Sequence, residues 1–409
     1  MAIKAGQIIH VGNDTVVIDR IQTAGPGNLN IPVETIYELG NYKSVAQIRD
    51  IPDLSFALES YDVSTEIEAL LLGVDPADLS KLPYDPASSA CLDMKSVFKA
   101  GLGTADAFAT VASVGLPFLA VEQLQYRFGL RDDARQTATL RGDAIYYNPG
   151  STYVEKAVGT GVAGQVVVTV HPAFSIDEGG VTRRVLNVTA SRKRLIYGVD
   201  YVETFGAVTG GAAVTTITLV KSVPITDSVQ IMYSSPAVEE FPQSVHAPVS
   251  ATKPAAIRGR DIAVYLGGYD SANPFTNRLL GVQACTVDWR VTLQKDEEFG
   301  NYHFVTQDYD VPTTNGTVQV KPQDSQALIA LIQKITGAAD ATKTATATSA
   351  PVIPLDVVLH SPVDGTVLKR LHVPDARFTV PGFSARVQQK LDVTINFQSD
   401  TGSLEISKV

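Results

Sequence analysis

ELGNYKSVAQIRDIP occupies residues 38–52, and EFGNYHFVTQDYDVP occupies residues 298–312. The second stretch follows the first at an offset of 260 residues (38 to 298), with no gap. Glu38/Glu298, Gly40/Gly300, Asn41/Asn301, Tyr42/Tyr302, Val45/Val305, Gln47/Gln307, Asp50/Asp310 and Pro52/Pro312 are identical, and Leu39/Phe299 and Ile51/Val311 keep apolar character. Solenoid units recur at much shorter periods, about 20–50 residues. This spacing instead predicts two copies of one domain in a single chain. On that reading the shared Glu, Gly, Asn, Tyr, Asp and Pro positions are strand ends and turns that each copy makes in the same way.

Working outward, the block at residues 1–150 is rich in alternating segments. Ser44–Ile48 and Leu54–Leu58, with Leu54, Phe56 and Leu58 on one face, have the period of two that marks half-buried strands. Thr65-Glu66-Ile67-Glu68 reads as a capping box for a short helix ending at Gly73. A second helix is expected over Ala105–Val114, and a strand pair over Phe118–Phe128 and Ala134–Tyr147. The block at 246–409 follows the same plan. Strands are expected around Val287–Leu293 and His303–Tyr309, a hairpin turn at Thr314-Asn315-Gly316-Thr317, and a helix capped by Asp324 that carries Leu328, Leu331, Ile332 and Ile335. Two long strands, Ala376–Val387 and Leu391–Ile406, close it. The long loops Val74–Ala100 and Gly337–Pro354 are left between elements; Ala338–Ala350 is Ala/Thr-rich low-complexity sequence.

Residues 151–245 differ. Gln165–Val170, Arg184–Thr189, Val214–Leu219 and Ser228–Tyr233 are short β segments at close spacing, with no helix signal between them. They predict an inserted sandwich of the immunoglobulin-like type.

Composition bounds the function. With 44% apolar and 19% charged residues, the chain can bury real cores. A net charge of −10 argues against general nucleic-acid binding, which needs basic surface to displace phosphate counterions. Cys91 and Cys285 fit no metal spacing and are expected to be reduced and buried. The first residues lack an apolar h-region, and no apolar run reaches the length of a membrane span, which predicts neither a secretory signal nor membrane insertion.

No motif carries chemistry. Gly159–Gly164 matches GxGxxG, but the β-branched run Val166–Val170 follows where a dinucleotide site needs a helix. The six histidines form no HxxxH or HExxH. Asp132-Asp133 and Asp296-Glu297-Glu298 read as solvated strand ends, and Arg141-Gly142-Asp143 sits in strand context, unlike a displayed loop tip. The reading is no enzyme, with no catalytic, cofactor-binding or metal-binding residue.

The outer blocks resemble phage major tail tube proteins. The residues that carry the likeness are the GNY segment running into Asp50-Ile51-Pro52-Asp53-Leu54-Ser55-Phe56, its copy ending Asp310-Val311-Pro312, and Pro374–Phe383 followed by Leu391–Phe397. The resemblance implies a mainly β fold: two tandem tail-tube-like domains (1–150 and 246–409), each a β-sandwich or barrel with short flanking helices, plus the inserted immunoglobulin-like β-sandwich (151–245). It implies a structural protein of the virion tail, assembled in the host cytoplasm. Rings of six domains stack into a hollow tube that conducts DNA without specific binding. Two domains per chain imply a homotrimeric, pseudo-hexameric ring. Tape-measure and tail-terminator or tail-tip proteins are the further partners it implies. The alternatives are the inner tube, sheath or baseplate ring of a contractile tail or injection machine, an extracellular multi-sandwich adhesin, and a glycan-degrading tail component.

Overall fold

The structure is a computed structural model that describes residues 8–12, 18, 20–30, 33–37, 44–49, 51–61, 65, 68, 82–84, 92–99, 110–178, 180–191, 193–237, 256–298, 303–323, 325–336, 351–379, 382–384 and 391–407. It is mainly β, as expected from the alternating segments. The first block contributes β1 (Ile8–Gly12), β2 (Ile21–Asn30), β3 (Val33–Tyr37), β4 (Ser44–Arg49), β5 (Asp53–Ser60), β6 (Leu82–Tyr84), β7 (Leu92–Lys99), β8 (Thr110–Gly129), β9 (Arg135–Gly142) and β10 (Tyr146–Asn148).

The middle segment forms sheets of its own. β11 (Ser151–Val158), β12 (Val166–Val168), β13 (Ala173–Phe174), β14 (Ile176–Glu178), β15 (Val181–Arg183), β16 (Val185–Ala190), β17 (Lys193–Arg194), β18 (Tyr201–Phe205), β19 (Ala212–Ala213), β20 (Thr215–Leu219) and β21 (Ser228–Ser235) follow in order. A sheet β11-β21-β16-β17 faces a sheet β12-β20-β18. Tyr153, Val188, Ile231 and Tyr233 from the first meet Tyr201, Ile217 and Leu219 from the second in one buried core, so this segment is a β-sandwich.

The last block contributes β22 (Ile262–Leu266), β23 (Val282–Arg290), β24 (Leu293–Asp296), β25 (Thr306–Tyr309), β26 (Thr313–Val320), helix α1 (Ser325–Thr336), β27 (Leu355–His360), β28 (Val367–Val373), β29 (Ala376–Phe378), β30 (Gly382–Ser384), β31 (Asp392–Ser399) and β32 (Leu404–Ser407).

The two outer blocks repeat one another in register as well as in order. In the hairpin β3–β4, Val33 faces Arg49, Glu34 faces Ile48 and Thr35 faces Gln47. In β24–β25, 260 positions on, Leu293 faces Tyr309, Gln294 faces Asp308 and Lys295 faces Gln307. The strands β5 and β26 then begin and end at the same 260-residue offset (Asp53 to Thr313, Ser60 to Val320). Beyond the helix the offset is 261 from β7 to β27 (Phe98 to Leu359) and becomes 257 from β8 on (Leu140 to Phe397): β5 pairs Phe56 with Leu140, and β26 pairs Gly316 with Phe397. The small sheets match too, with Phe98 opposite Ala112 in β7–β8 and Leu359 opposite Lys369 in β27–β28. β10 on β8 corresponds to β32 on β28.

One strand in each block serves both sheets. β8 pairs with β7 up to Leu119 and with β9 from Ala120 onward. It turns at Pro117-Phe118, where Phe118 has φ +54°. A strand that changes sheets makes the corner of a sandwich, and a proline, which cannot donate to a ladder, sits naturally at such a break. The last block makes this corner at Pro374-Asp375, between β28 and β29. The 20-residue β8 is thus divided there into β28, β29 and β30, where one strand over Ala376–Val387 was expected. Residues 385–390 lie outside the described residues.

Alternation sets the burial. Along β5 the even-numbered residues, Leu54, Phe56 and Leu58, are buried, and along β31 Val393, Ile395 and Phe397 are. These residues, the inward faces of β22, β27, β28 and β32, and Leu331 and Ile335 of α1 share one core. At about 25 cal/mol per Å² of apolar surface, each such side chain adds roughly 1.5–3 kcal/mol.

Four expectations are corrected. The helix expected over Ala105–Val114 is strand from Thr110 on; Thr110-Val111-Ala112-Ser113-Val114 begins β8, and β-branched residues fit a pleated surface better than a helix turn. Residues 105–109 lie outside the described residues. Asn315-Gly316 is mid-strand in β26, not a hairpin turn. A Cβ on Gly316 would lie 2.1 Å from the Thr286 carbonyl oxygen and 2.5 Å from the Phe397 ring. The first block fills the same cross-strand site with Phe56 beside Leu140, so the glycine is a packing choice that admits Phe397. Leu391–Ile406 is two strands, β31 and β32, with a turn at Gly402 (φ +75°) between them. The loop expected over Val74–Ala100 contains β6 and β7, and β6 pairs with β32 of the last block. Of the first capping-box helix, Thr65 and Glu68 are described, and Glu68 is helical. Asp324 and 337–350 lie outside the described residues. Among the described residues no helix is long and apolar enough to cross a membrane.

Candidate assembly interface

The repeated blocks meet at a joint between β8 and β23. β8 and β23 pair antiparallel, with Gln123 opposite Arg290, Leu124 opposite Trp289, Tyr126 opposite Val287 and Phe128 opposite Cys285. A single sheet, β2-β5-β9-β8-β23-β26-β31-β29, therefore runs from the first block into the last. Trp289, Val287 and Cys285 point into the shared core and are buried. Burial pushes the Cys285 thiol up to about 12, and it is a free cysteine. Cys91 lies outside the described residues.

The hairpin β24–β25 seals the joint from the opposite face. Leu293 and Tyr309 pack on Phe118 and Ala120. Gln307 Nε2 donates to the Phe118 carbonyl at 2.6 Å, and the Val121 N–H donates to the Tyr309 hydroxyl at 3.2 Å. Lys295 Nζ donates to Asp53 at 2.6 Å. Gln307 is one of the residues identical in the repeat, and its twin Gln47 has the same register position in β4.

A second cluster fastens all three parts of the chain. The Arg194 guanidinium, on β17 of the inserted sandwich, forms a bidentate pair with the Asp143 carboxylate of the first block, with Nη2 at 2.9 Å from Oδ1. Arg194 Nε donates to Asn187 at 2.9 Å, and the guanidinium lies 4.7 Å from the centre of the Phe118 ring. From the last block, the Phe304 N–H donates to Asp143 at 2.8 Å, His303 Nδ1 lies 3.3 Å from the same carboxylate, and the Val305 carbonyl accepts from the Arg194 N–H at 2.9 Å. Burial alone would raise the Asp143 carboxyl, but Arg194 and His303 outweigh it and hold it well below the usual carboxylate range. Burial pushes the His303 imidazole down from its ordinary value, against the pull of Asp143. Asp143 is the last residue of the Arg-Gly-Asp triplet; it is buried and paired, and Arg141 is held by Glu122 at 2.8 Å.

The outer face of the large sheet is polar. Thr137, Thr139, Gln123, Gln125, Thr286, Thr317, Gln319 and Asn396 alternate with the buried residues. Two of its arginines are paired with carboxylates: Arg135 meets Glu59 at 3.2 Å, and Arg141 meets Glu122 and Asp53. Arg127 donates to Gln125, and Gln123 links Arg290 to Asp288.

The repeat positions fall unevenly. Glu38, Gly40, Asn41, Tyr42, Asp50, Gly300, Asn301 and Tyr302 lie outside the described residues. Pro52 and Pro312 immediately precede β5 and β26. Asp310 turns the chain between β25 and β26, its N–H donating to the Thr292 carbonyl at 3.0 Å. Glu298 lines a cleft with Lys193, Asp200 and Lys221 of the sandwich. Gly159–Gly164 is a surface turn between β11 and β12, with positive φ at Gly161 and Gly164. Among the described residues no group of three or more His, Cys, Asp or Glu could hold a metal ion. Asp143, Arg194 and His303 had no shared sequence signal, because the three lie in three different parts of the chain.

In comparisons with known proteins, no family model matches this chain and no curated protein matches it.

Proposed function

We propose that this chain is a structural protein of a virion tail that builds a hollow tube from stacked trimeric, pseudo-hexameric rings, a conduit for viral DNA. The observation that carries this reading is the joint. β8 meets β23 within one chain, and the sheet then ends in β2 on one side and β29–β30 on the other. β2 is the counterpart of β23, and β30 is the counterpart of the β8 segment that β23 pairs with. Among the described residues, the two edges at the ends of this sheet are thus of the same two kinds that already pair inside the chain. A second chain docked in that register sets Pro26 opposite Phe383 and Gly25 opposite Ser384.

Such head-to-tail contacts close a ring when the rotation fits. Closure removes the unpaired strand edges that otherwise invite aggregation. Six blocks make the ring, so three chains suffice. The polar outer face of the large sheet lines the bore, where the carboxylates paired with Arg135 and Arg141 and the acid Asp288 limit the attraction for phosphates. Tape-measure and tail-terminator or tail-tip proteins cap and measure the tube. The test is negative-stain imaging with native mass determination of the purified chain. Hollow tubes or rings with three chains per ring are expected; six chains per ring, or a chain that forms neither, overturns the reading.

A further inference from the structure

The internal joint contains a buried ion pair whose twin positions are apolar. Lys369 of β28 and Glu68 of the first block are 0% and 1% exposed. Glu68 Oε1 accepts from Lys369 Nζ, from the Tyr126 hydroxyl, and from Gln136 Nε2 at 2.7 Å. Lys369 Nζ also donates to Gln136 Oε1 at 3.3 Å and lies 4.8 Å from the centre of the Tyr126 ring. The cation therefore comes from the last block, and its acceptors come from the first.

The repeat registers identify the twin of every member. Lys369 corresponds to Ala112, Gln136 to Val393, Tyr126 to Phe383 and Glu68 to Leu328. In the joint between chains, the same register would set position 112 of one chain against positions 328 and 393 of another. Leu328 is half-buried and its neighbour Ile329 is exposed within the single chain.

Building on the ring assembly, we propose that the Glu68–Lys369 pair is a partner-selection lock. It makes the joint within a chain and the joint to a second copy of the chain chemically different, so that a block whose internal joint is still open closes it on a block of the other kind and not on a like block of a second chain. Docking two last blocks together would take the Lys369 ammonium from the Glu68 carboxylate and set it beside Leu328 and Val393. Docking two first blocks would bury the Glu68 carboxylate against Ala112 with no cation. A buried charge deprived of its partner is strongly destabilising, whereas the apolar pairing carries no such penalty. Single polar positions in otherwise apolar interfaces fix register and stoichiometry in the same way.

The experiment moves the lock to the joint between chains. Ala112→Lys or Leu328→Glu alone is expected to reduce polymer at least tenfold, measured by negative-stain imaging and native mass, with circular dichroism and thermal midpoint of the single chain retained. The double variant is expected to restore polymer to within twofold of the unaltered chain. A double variant no better than either single overturns the inference. Should a charged variant fail to fold, Ala112→Cys with Leu328→Cys, in a Cys91→Ser background, gives a second reading. A short bismaleimide is expected to link neighbouring chains in a series that ends at three; polymer that forms without this link overturns the inference. If the unaltered chain forms neither tubes nor rings, the ring reading itself falls, and the lock with it.

Discussion

Removing the guanidinium of Arg194 tests the fastening of the three parts most directly. Arg194→Met keeps an unbranched stem but leaves Asp143 buried with only the Phe304 N–H and His303 beside it. Breaking a buried pair by removing one partner costs about 3–5 kcal/mol. The lost contact over the Phe118 ring adds about 0.5–2 kcal/mol. Asp143→Leu strands the guanidinium instead and carries a similar cost of about 3–5 kcal/mol. If the two residues acted independently, the double variant would lose about 6.5–12 kcal/mol. The structure argues for far less. With both charges gone, the main residual penalties are the unsatisfied Phe304 N–H, about 1–3 kcal/mol, and the lost contact over the Phe118 ring, about 0.5–2 kcal/mol. The assay is urea denaturation followed by the fluorescence of Trp289, the sole tryptophan, which is buried on β23 at the joint. Amide exchange at Arg194 and Phe304, whose N–H groups cross between the parts, reports the same opening locally. The pH dependence has a defined sign. In the unaltered chain the Asp143 contribution is complete above the ordinary carboxylate range, and it disappears only as pH falls through a much lower native value. In Arg194→Met, burial dominates and raises that carboxyl, so the variant regains stability relative to the parent as pH falls. Additive losses in the double variant, or a loss under about 1 kcal/mol for Arg194→Met, would refute the reasoning.

Three other outcomes are expected. His303 titrates below its ordinary value of 6.5 in the folded chain, so the unfolded chain takes up the proton first and stability declines as pH falls below that value; His303→Gln should flatten the decline in denaturation midpoints across that range. Gly316→Ala should cost about 3 kcal/mol or more, because its Cβ would fall 2.1 Å from the Thr286 carbonyl oxygen, which belongs to rigid backbone; a thermal midpoint unchanged from the parent contradicts the packing account. In a Cys91→Ser background, Cys285 should ignore a thiol reagent at neutral pH until denaturant is added, since burial holds its thiol near 12; rapid labelling of the folded chain counts against the sealed joint.

Much of the fold was legible in particular residues. Leu54, Phe56 and Leu58 announced a half-buried strand, and Leu331 and Ile335 at helical spacing announced the buried side of α1. Where the reading failed, a local signal competed with a distant neighbour. Asn315-Gly316 has the composition of a hairpin turn, yet the glycine is there because Phe397, far along the chain, needs its space. Thr110–Val114 follows a small-residue stretch that suggests a helix, but pairing with β7 extends β8 through it. The assembly site was hardest to read. Gln307 belonged to the repeat, but its acceptor is the carbonyl of Phe118, which sequence similarity does not mark.

By itself, the sequence determined that one chain carries a repeated unit, that each unit is built from strands with one buried side, and that a sandwich of another kind lies between them. These follow from periodicity and identity, which depend on neighbouring residues alone. Only the tertiary structure decided that β8 meets β23, that Pro117-Phe118 turns one strand from sheet to sheet, and that Asp143, Arg194 and His303 converge. A period of two fixes which face of a strand is buried and leaves open which strand lies beside it. That choice rests on contacts between residues up to hundreds of positions apart, such as Glu68 and Lys369, and is made when the whole core packs.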